Sequence, residues 1–156
     1  MHTADAATRL LVVDRDNNCR DYICSQLENA GFPCDGAPTA AIGLDLARRE
    51  MPSLIIVETQ LDACSGFDFV RTVNHEYLGN DIPIIYISAT SSSEVIAECH
   101  EAGGTYFLSK PIDPTVLIEL VDKALWMPHL IRRHVDVAAH PTTRAPRILG
   151  EVAARS

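Results

Sequence analysis

The chain has 156 residues, a length that suits one ordinary domain with a short extension; two full domains would be crowded. With 47% hydrophobic and 22% charged residues, its composition excludes a disordered or fibrous chain. The net charge of −8 is uneven: the last 30 residues hold five arginines against Asp136 and Glu151, so they carry +3 and the rest −11, a balance that argues against direct nucleic-acid binding by the main body.

Nothing before Arg9 reads as a charged leader with an apolar core, so no export is expected, and the chain is read as cytoplasmic. Apolar runs such as Leu54 to Val57 fall far short of the roughly 20 residues of a membrane-spanning helix, so no membrane association is expected. Residues 1–8 read as an N-terminal extension, 9–127 as the domain and 128–156 as a tail, with one short helix expected over 128–139.

Along the domain, short apolar runs alternate with helical patterns. Leu10 to Val13 precedes Asn17 to Ala30, a weak run at Phe32 to Cys34 precedes Thr39 to Glu50, and Leu54 to Val57 precedes Phe67 to Tyr77. Ile82 to Ile87 then precedes Ser93 to Ala102, and Tyr106 to Leu108 precedes Pro114 to Trp126. The helical stretches repeat apolar residues at three and four, as in Val116, Leu117, Leu120, Val121 and Leu125, so one face of each is buried. The first, third and fourth runs are continuously apolar, the mark of parallel strands covered on both faces. Asp16 is placed to cap the first helix, Gly31 to close it and Gly103-Gly104 to end the fourth. Five cysteines, Cys19, Cys24, Cys34, Cys64 and Cys99, are odd in number and lack a Cys-x-x-Cys pair, so they read as reduced, mostly buried thiols rather than a disulfide framework or zinc site.

In an open α/β sheet, ligands bind beyond the carboxyl ends of the strands. Here those ends are Asp14-Arg15-Asp16, Glu58-Thr59, Ser88-Ala89-Thr90 and Ser109-Lys110-Pro111. Any one of them has a plain explanation, since strands commonly end in a polar residue on reaching water. Two acids, a hydroxyl and a lysine at four strand ends form a more specific set.

Four segments in this order, Leu-Leu-Val-Val-Asp-Arg-Asp, Pro-Ser-Leu-Ile-Ile-Val-Glu with Gly66 eight residues on, Ile-Pro-Ile-Ile-Tyr-Ile-Ser-Ala and Phe-Leu-Ser-Lys-Pro, resemble the signature segments of response-regulator receiver domains over residues 9 to 126. The resemblance implies an α/β, flavodoxin-like, doubly wound five-stranded parallel sheet of order 2-1-3-4-5 with five helices. It implies signalling rather than enzymatic work: a two-component phosphorelay module that meets a histidine kinase, a downstream effector or a second copy through its helix 4, strand 5, helix 5 face. Glu94, Glu98, Asp122 and Lys123 are candidates on that face, where a merely solvated charged surface is the bland reading.

Carried over residue by residue, the resemblance makes Asp14 and Asp16 part of the acidic pocket, Ser88 the switch hydroxyl, Phe107 the switch aromatic and Lys110 the pocket lysine, with a cis bond before Pro111. Glu58 stands where the phosphoacceptor aspartate is expected, and Arg15 where a second metal-binding acid is expected. Asp62 replaces a proline of the following loop. The degenerate metal site would comprise Asp14, Glu58 and Gln60. With Arg15 and Lys110 balancing Asp14 and Glu58, magnesium binding is expected to be weak or absent and no other cofactor is expected. Arg15 is expected to reach Glu58 or Asp14.

Glutamate is one methylene longer than aspartate, and misplacing a nucleophile by about 1 Å costs roughly 100-fold in rate. Glu58 is therefore a poor phosphoacceptor and either imitates the phosphorylated state or sits in an inert ion pair. Two further readings stay open: a receiver that is still phosphorylated, and a haloacid-dehalogenase-like phosphatase with Asp14 as nucleophile, which lacks an acidic motif after Lys110 and room for a cap domain.

Overall fold

The computed structural model describes residues 8–76 and 82–126. Five strands, β1 (Leu10–Val13), β2 (Cys34–Ala37), β3 (Leu54–Glu58), β4 (Ile84–Ser88) and β5 (Tyr106–Ser109), alternate with five helices, α1 (Asn17–Asn29), α2 (Ala40–Glu50), α3 (Gly66–Glu76), α4 (Ser93–Glu101) and α5 (Pro114–Trp126). The strands form one sheet of order β2-β1-β3-β4-β5, with every pair parallel. This is the flavodoxin-like arrangement expected.

Alternate residues of the apolar strands feed two separate cores, because successive side chains of a strand point to opposite faces. On one face Leu10, Val12, Leu54, Ile56, Ile85 and Ile87 pack with Ile23 and Leu27 of α1 and Leu117, Leu120 and Val121 of α5. On the other, Leu11, Val13, Ile55, Val57, Tyr86 and Phe107 pack with Ala47 of α2, with Phe69, Val70 and Val73 of α3, and with Cys99 of α4. The central strands are apolar throughout because neither face meets water.

The expected Asp16 cap forms, and Thr39 and Asp113 cap two further helices. Asp16 Oδ1 accepts from the backbone N–H groups of Asn18 and Cys19, Thr39 Oγ1 accepts from Ile42, and Asp113 Oδ1 accepts from Thr115 at the start of α5. Gly31 and Gly103 adopt positive φ, 94° and 86°, just past α1 and α4.

The second strand departs from expectation. It runs from Cys34 to Ala37, not from Phe32 to Cys34, and so includes Asp35 and Gly36. The apolar run marks packing, whereas the strand is set by its pairing with β1, Leu10 opposite Cys34 through Val13 opposite Ala37. Phe32 instead belongs to the close of α1, donating its N–H to the Leu27 carbonyl. As an edge strand, β2 tolerates Asp35, whose carboxylate takes two hydrogen bonds from Arg9. Tyr77 at the expected end of α3, the expected helix over 128–139 and the rest of the tail lie outside the described residues.

Candidate functional site

The sheet brings the ends of β1, β3 and β5 together. Lys110, immediately after β5, places Nζ 2.7 Å from Glu58 Oε1 and 2.9 Å from Asp14 Oδ2. Asp14 is completely buried and Glu58 is 6% exposed, so the ammonium compensates two carboxylates that water scarcely reaches. Burial works against the charge on Lys110, but the contact with Glu58, then that with Asp14, outweighs it and raises the lysine pKa.

The carboxylates are held by short-range bonds as well. Asp14 Oδ1 accepts from the Asp16 N–H at 2.9 Å. Its Oδ2 meets Lys110 at ion-pair distance but at an angle that leaves it without an aligned hydrogen-bond donor. Glu58 Oε2 accepts from the Thr59 hydroxyl at 3.0 Å and from the Gln60 N–H at 3.2 Å. Arg20 donates to the Asp14 carbonyl at 2.8 Å and so fixes the end of β1. Ser88 is buried at the end of β4, where its Oγ accepts from the Thr90 N–H. Its backbone carbonyl accepts from the Lys110 N–H, tying β4 to the lysine.

The loop after β3 explains how Glu58 keeps its place. Gly66 opens α3 and donates its N–H to the Thr59 carbonyl. A Cβ at Gly66 would overlap the Glu58 carbonyl, so only glycine lets the helix start so close to the strand. Between them the Leu61 N–H bonds to the Cys64 carbonyl and closes the turn.

Asp14, Glu58, Ser88 and Lys110 thus converge as expected on one edge of the sheet. The Lys110-Pro111 peptide is cis, as the resemblance implied. Phe107 is buried, 1% exposed, opposite Tyr86 on the neighbouring strand. Asp16 is exposed and serves as the cap of α1, and Gln60 contributes its backbone N–H to the site.

Arg15 requires a correction. It reaches neither Glu58 nor Asp14 but faces Asp62 at 3.6 Å, with the two side chains 48% and 68% exposed. A guanidinium that can stay in water beside an exposed acid avoids the desolvation it would meet in the pocket, which Lys110 already supplies with positive charge. The buried set is therefore Asp14, Glu58 and Lys110, with a balance of −1 instead of zero. The cysteines also differ from expectation, since only Cys34 and Cys99 are buried and the other three are partly exposed. The Thr59 and Arg20 contacts were not anticipated. Thr59 is adjacent to Glu58 in sequence, whereas no pattern points from Arg20 to a carbonyl six residues away.

Comparisons with known proteins agree with this arrangement. The model of the response regulator receiver domain matches residues 10–122. The chain is 32% identical over 114 residues to an uncharacterized 14.6 kDa protein in the sodA1 3′ region of Leptolyngbya boryana, covering 73% of this chain and 87% of that one. It is 28% identical over 112 residues to the phosphate regulon transcriptional regulatory protein PhoB of Klebsiella pneumoniae, covering 72% of this chain, and it spans about half of that relative's length, 49%. Among solved structures, the chemotaxis response regulator CheY4 of Vibrio cholerae superimposes with a TM-score of 0.70 at 25% identity, covering 76% of this chain and 98% of that one. With sheet order, strand-end residues and relatives in agreement, the chain belongs to the response regulator receiver domain family of two-component signalling.

Proposed function

We propose that this receiver domain signals without being phosphorylated, as a protein-interaction module and not an enzyme. The observation that carries the reading is the Lys110 to Glu58 ion pair of 2.7 Å. An anionic oxygen already sits against the pocket lysine, where the resemblance puts the negative charge of a phosphorylated aspartate. Both oxygens of Glu58 are engaged, Oε1 by Lys110 and Oε2 by Thr59 and Gln60, so the nucleophile is tied down as well as displaced. The burial of Phe107 favours an activated state over an inert scaffold, since inward is the position the resemblance associates with activation.

The resemblance also implies magnesium, which would supply charge neutralisation for phosphoryl transfer. The residues present do not suit it. Asp14 and Glu58 share the lysine, Asp16 is spent as a helix cap, and Arg15 brings a cation to the rim. Weak or absent magnesium binding is therefore part of the proposal. The phosphatase alternative is not favoured, since the same lysine contact and the Asp16 N–H occupy the carboxylate of Asp14.

Receiver domains meet histidine kinases and effectors. For this chain the surface formed by α4, β5 and α5 is the proposed contact, with Glu94, Glu98 and Lys123 exposed on it and Asp122 partly exposed. A cytoplasmic setting belongs to the same reading. Among the described residues no helix is long and apolar enough to cross a membrane. Incubation of the wild-type chain with acetyl phosphate and magnesium, read by intact mass, tests the proposal. The mass is expected to stay unchanged, and a hydrolysis-sensitive phosphoryl adduct would overturn it.

A further inference from the structure

On the α1 side of the sheet, away from the strand ends, two thiols approach each other. Cys24 lies on the buried side of α1 and Cys34 begins the edge strand β2, ten residues later. Their sulfurs are 3.0 Å apart, with the Cys34 thiol donating to Cys24. A disulfide bond is about 2 Å long, so joining them asks for an approach of only about 1 Å, within reach of small side-chain rotations. Packing explains the closeness: both belong to the apolar cluster of that face, and a Cβ at Gly36 would lie 3.4 Å from the Cys24 sulfur and 3.2 Å from Arg20 Cδ. Among the described residues no group of three or more metal-ligating side chains occurs, so the pair is not part of a metal site there.

We propose that Cys24 and Cys34 form a reversible oxidation site, in which hydrogen peroxide converts the two thiols into a disulfide that ties α1 to β2. Cys24 is the partly exposed member and the attacking sulfur; Cys34 is buried and resolves. In the first step the Cys24 thiolate attacks one peroxide oxygen, an S–O bond forms, the O–O bond breaks and the departing hydroxide takes up a proton as water. Cys24 is oxidised to sulfenic acid and the peroxide is reduced. In the second step Cys34 loses its proton and its sulfur attacks the Cys24 sulfur. The S–S bond forms, the S–O bond breaks and a second water leaves, so two thiols and one molecule of hydrogen peroxide give one disulfide and two waters. A dithiol reductant reverses the change by thiol–disulfide exchange.

The other cysteines lack this arrangement. Cys19 and Cys99 are pushed up to about 12, burial being the main cause in each, and so stay protonated. Cys24 shifts down instead, because the Cys34 hydrogen bond stabilises its thiolate more than burial opposes it. Nothing in this chemistry depends on the pocket between Asp14 and Glu58.

The test uses the full chain, reduced, freed of reductant and treated with hydrogen peroxide, then alkylated after denaturation and mapped by peptide mass. The expected product is a peptide pair crosslinked through Cys24 and Cys34, absent after dithiothreitol, with Cys19, Cys64 and Cys99 still alkylated. In Cys34→Ser the crosslink is lost and the Cys24 sulfenic acid is captured by dimedone. Persistence of Cys24 and Cys34 as alkylatable thiols in the wild type would overturn the proposal, as would a crosslink that joins other cysteines. The wild-type map decides the matter even if the variant does not fold.

Discussion

Two ion pairs stand at the same end of the sheet and differ in everything but their charges. Lys110 bridges Asp14 and Glu58 in a place where the two carboxylates are almost fully buried, whereas Arg15 meets Asp62 at 3.6 Å with both side chains well exposed. The first pair cannot be broken without leaving buried charge uncompensated, while water takes over from either partner of the second. The sequence places four of these residues at strand ends and Asp62 in the loop after β3, and says nothing of this difference, which comes from depth alone. Depth also separates Lys110 and Glu58, which meet inside the pocket, from Arg15, which lies outside it.

The sharpest way to break the contrast is Lys110→Met, which leaves Asp14 and Glu58 facing each other without a cation. A loss of about 3–5 kcal/mol in urea unfolding is expected. The lysine pKa is raised by folding, so its contribution is fully present below the unfolded value, roughly 10.4, and is lost as pH rises through the higher folded value. Unfolding measured across pH is therefore expected to show wild type and Lys110→Met converging only above about pH 10.4. Equal stability of the two at pH 7 would remove the buried pair as a structural element.

Gly66→Ala probes the support of Glu58 instead of its charge. The added methyl meets the Glu58 carbonyl, which belongs to a central strand and cannot yield, so a cost of about 1–3 kcal/mol is expected from thermal unfolding. The smallest effect belongs to Arg15→Ala, with a change of no more than about 0.5 kcal/mol, since the pair with Asp62 is exposed and long. A large loss there would mean that the arginine enters the pocket after all.

Much of this architecture is legible in the residues themselves. Continuous apolar strands at Leu10, Leu54 and Ile84 reveal a sheet covered on both faces, and the two interleaved cores are the structural form of that signal. The polar ends of β1, β3, β4 and β5 mark the site because parallel strands all deliver their carboxyl ends to one edge. The edge strand starts two residues later than its apolar run because Cys34 to Ala37 pairs on one side only and carries Asp35 and Gly36, which no apolar run reveals. The partner of Arg15 is not legible, because charge complementarity predicts a carboxylate without telling which one remains in water. The contact of Cys24 with Cys34 joins a helix to a strand through a turn, a juxtaposition that spacing along the chain does not encode.

The most direct test of the central claim sets Glu58→Asp beside the wild type in acetyl phosphate and magnesium, with intact mass as the readout. The wild type is expected to stay unmodified; an adduct on Glu58→Asp alone would lay the block on the side chain at position 58, and none on either chain would lay it on Arg15 and the lost magnesium as well. An adduct of equal yield on the wild type would contradict the account and return this chain to ordinary phosphorelay signalling.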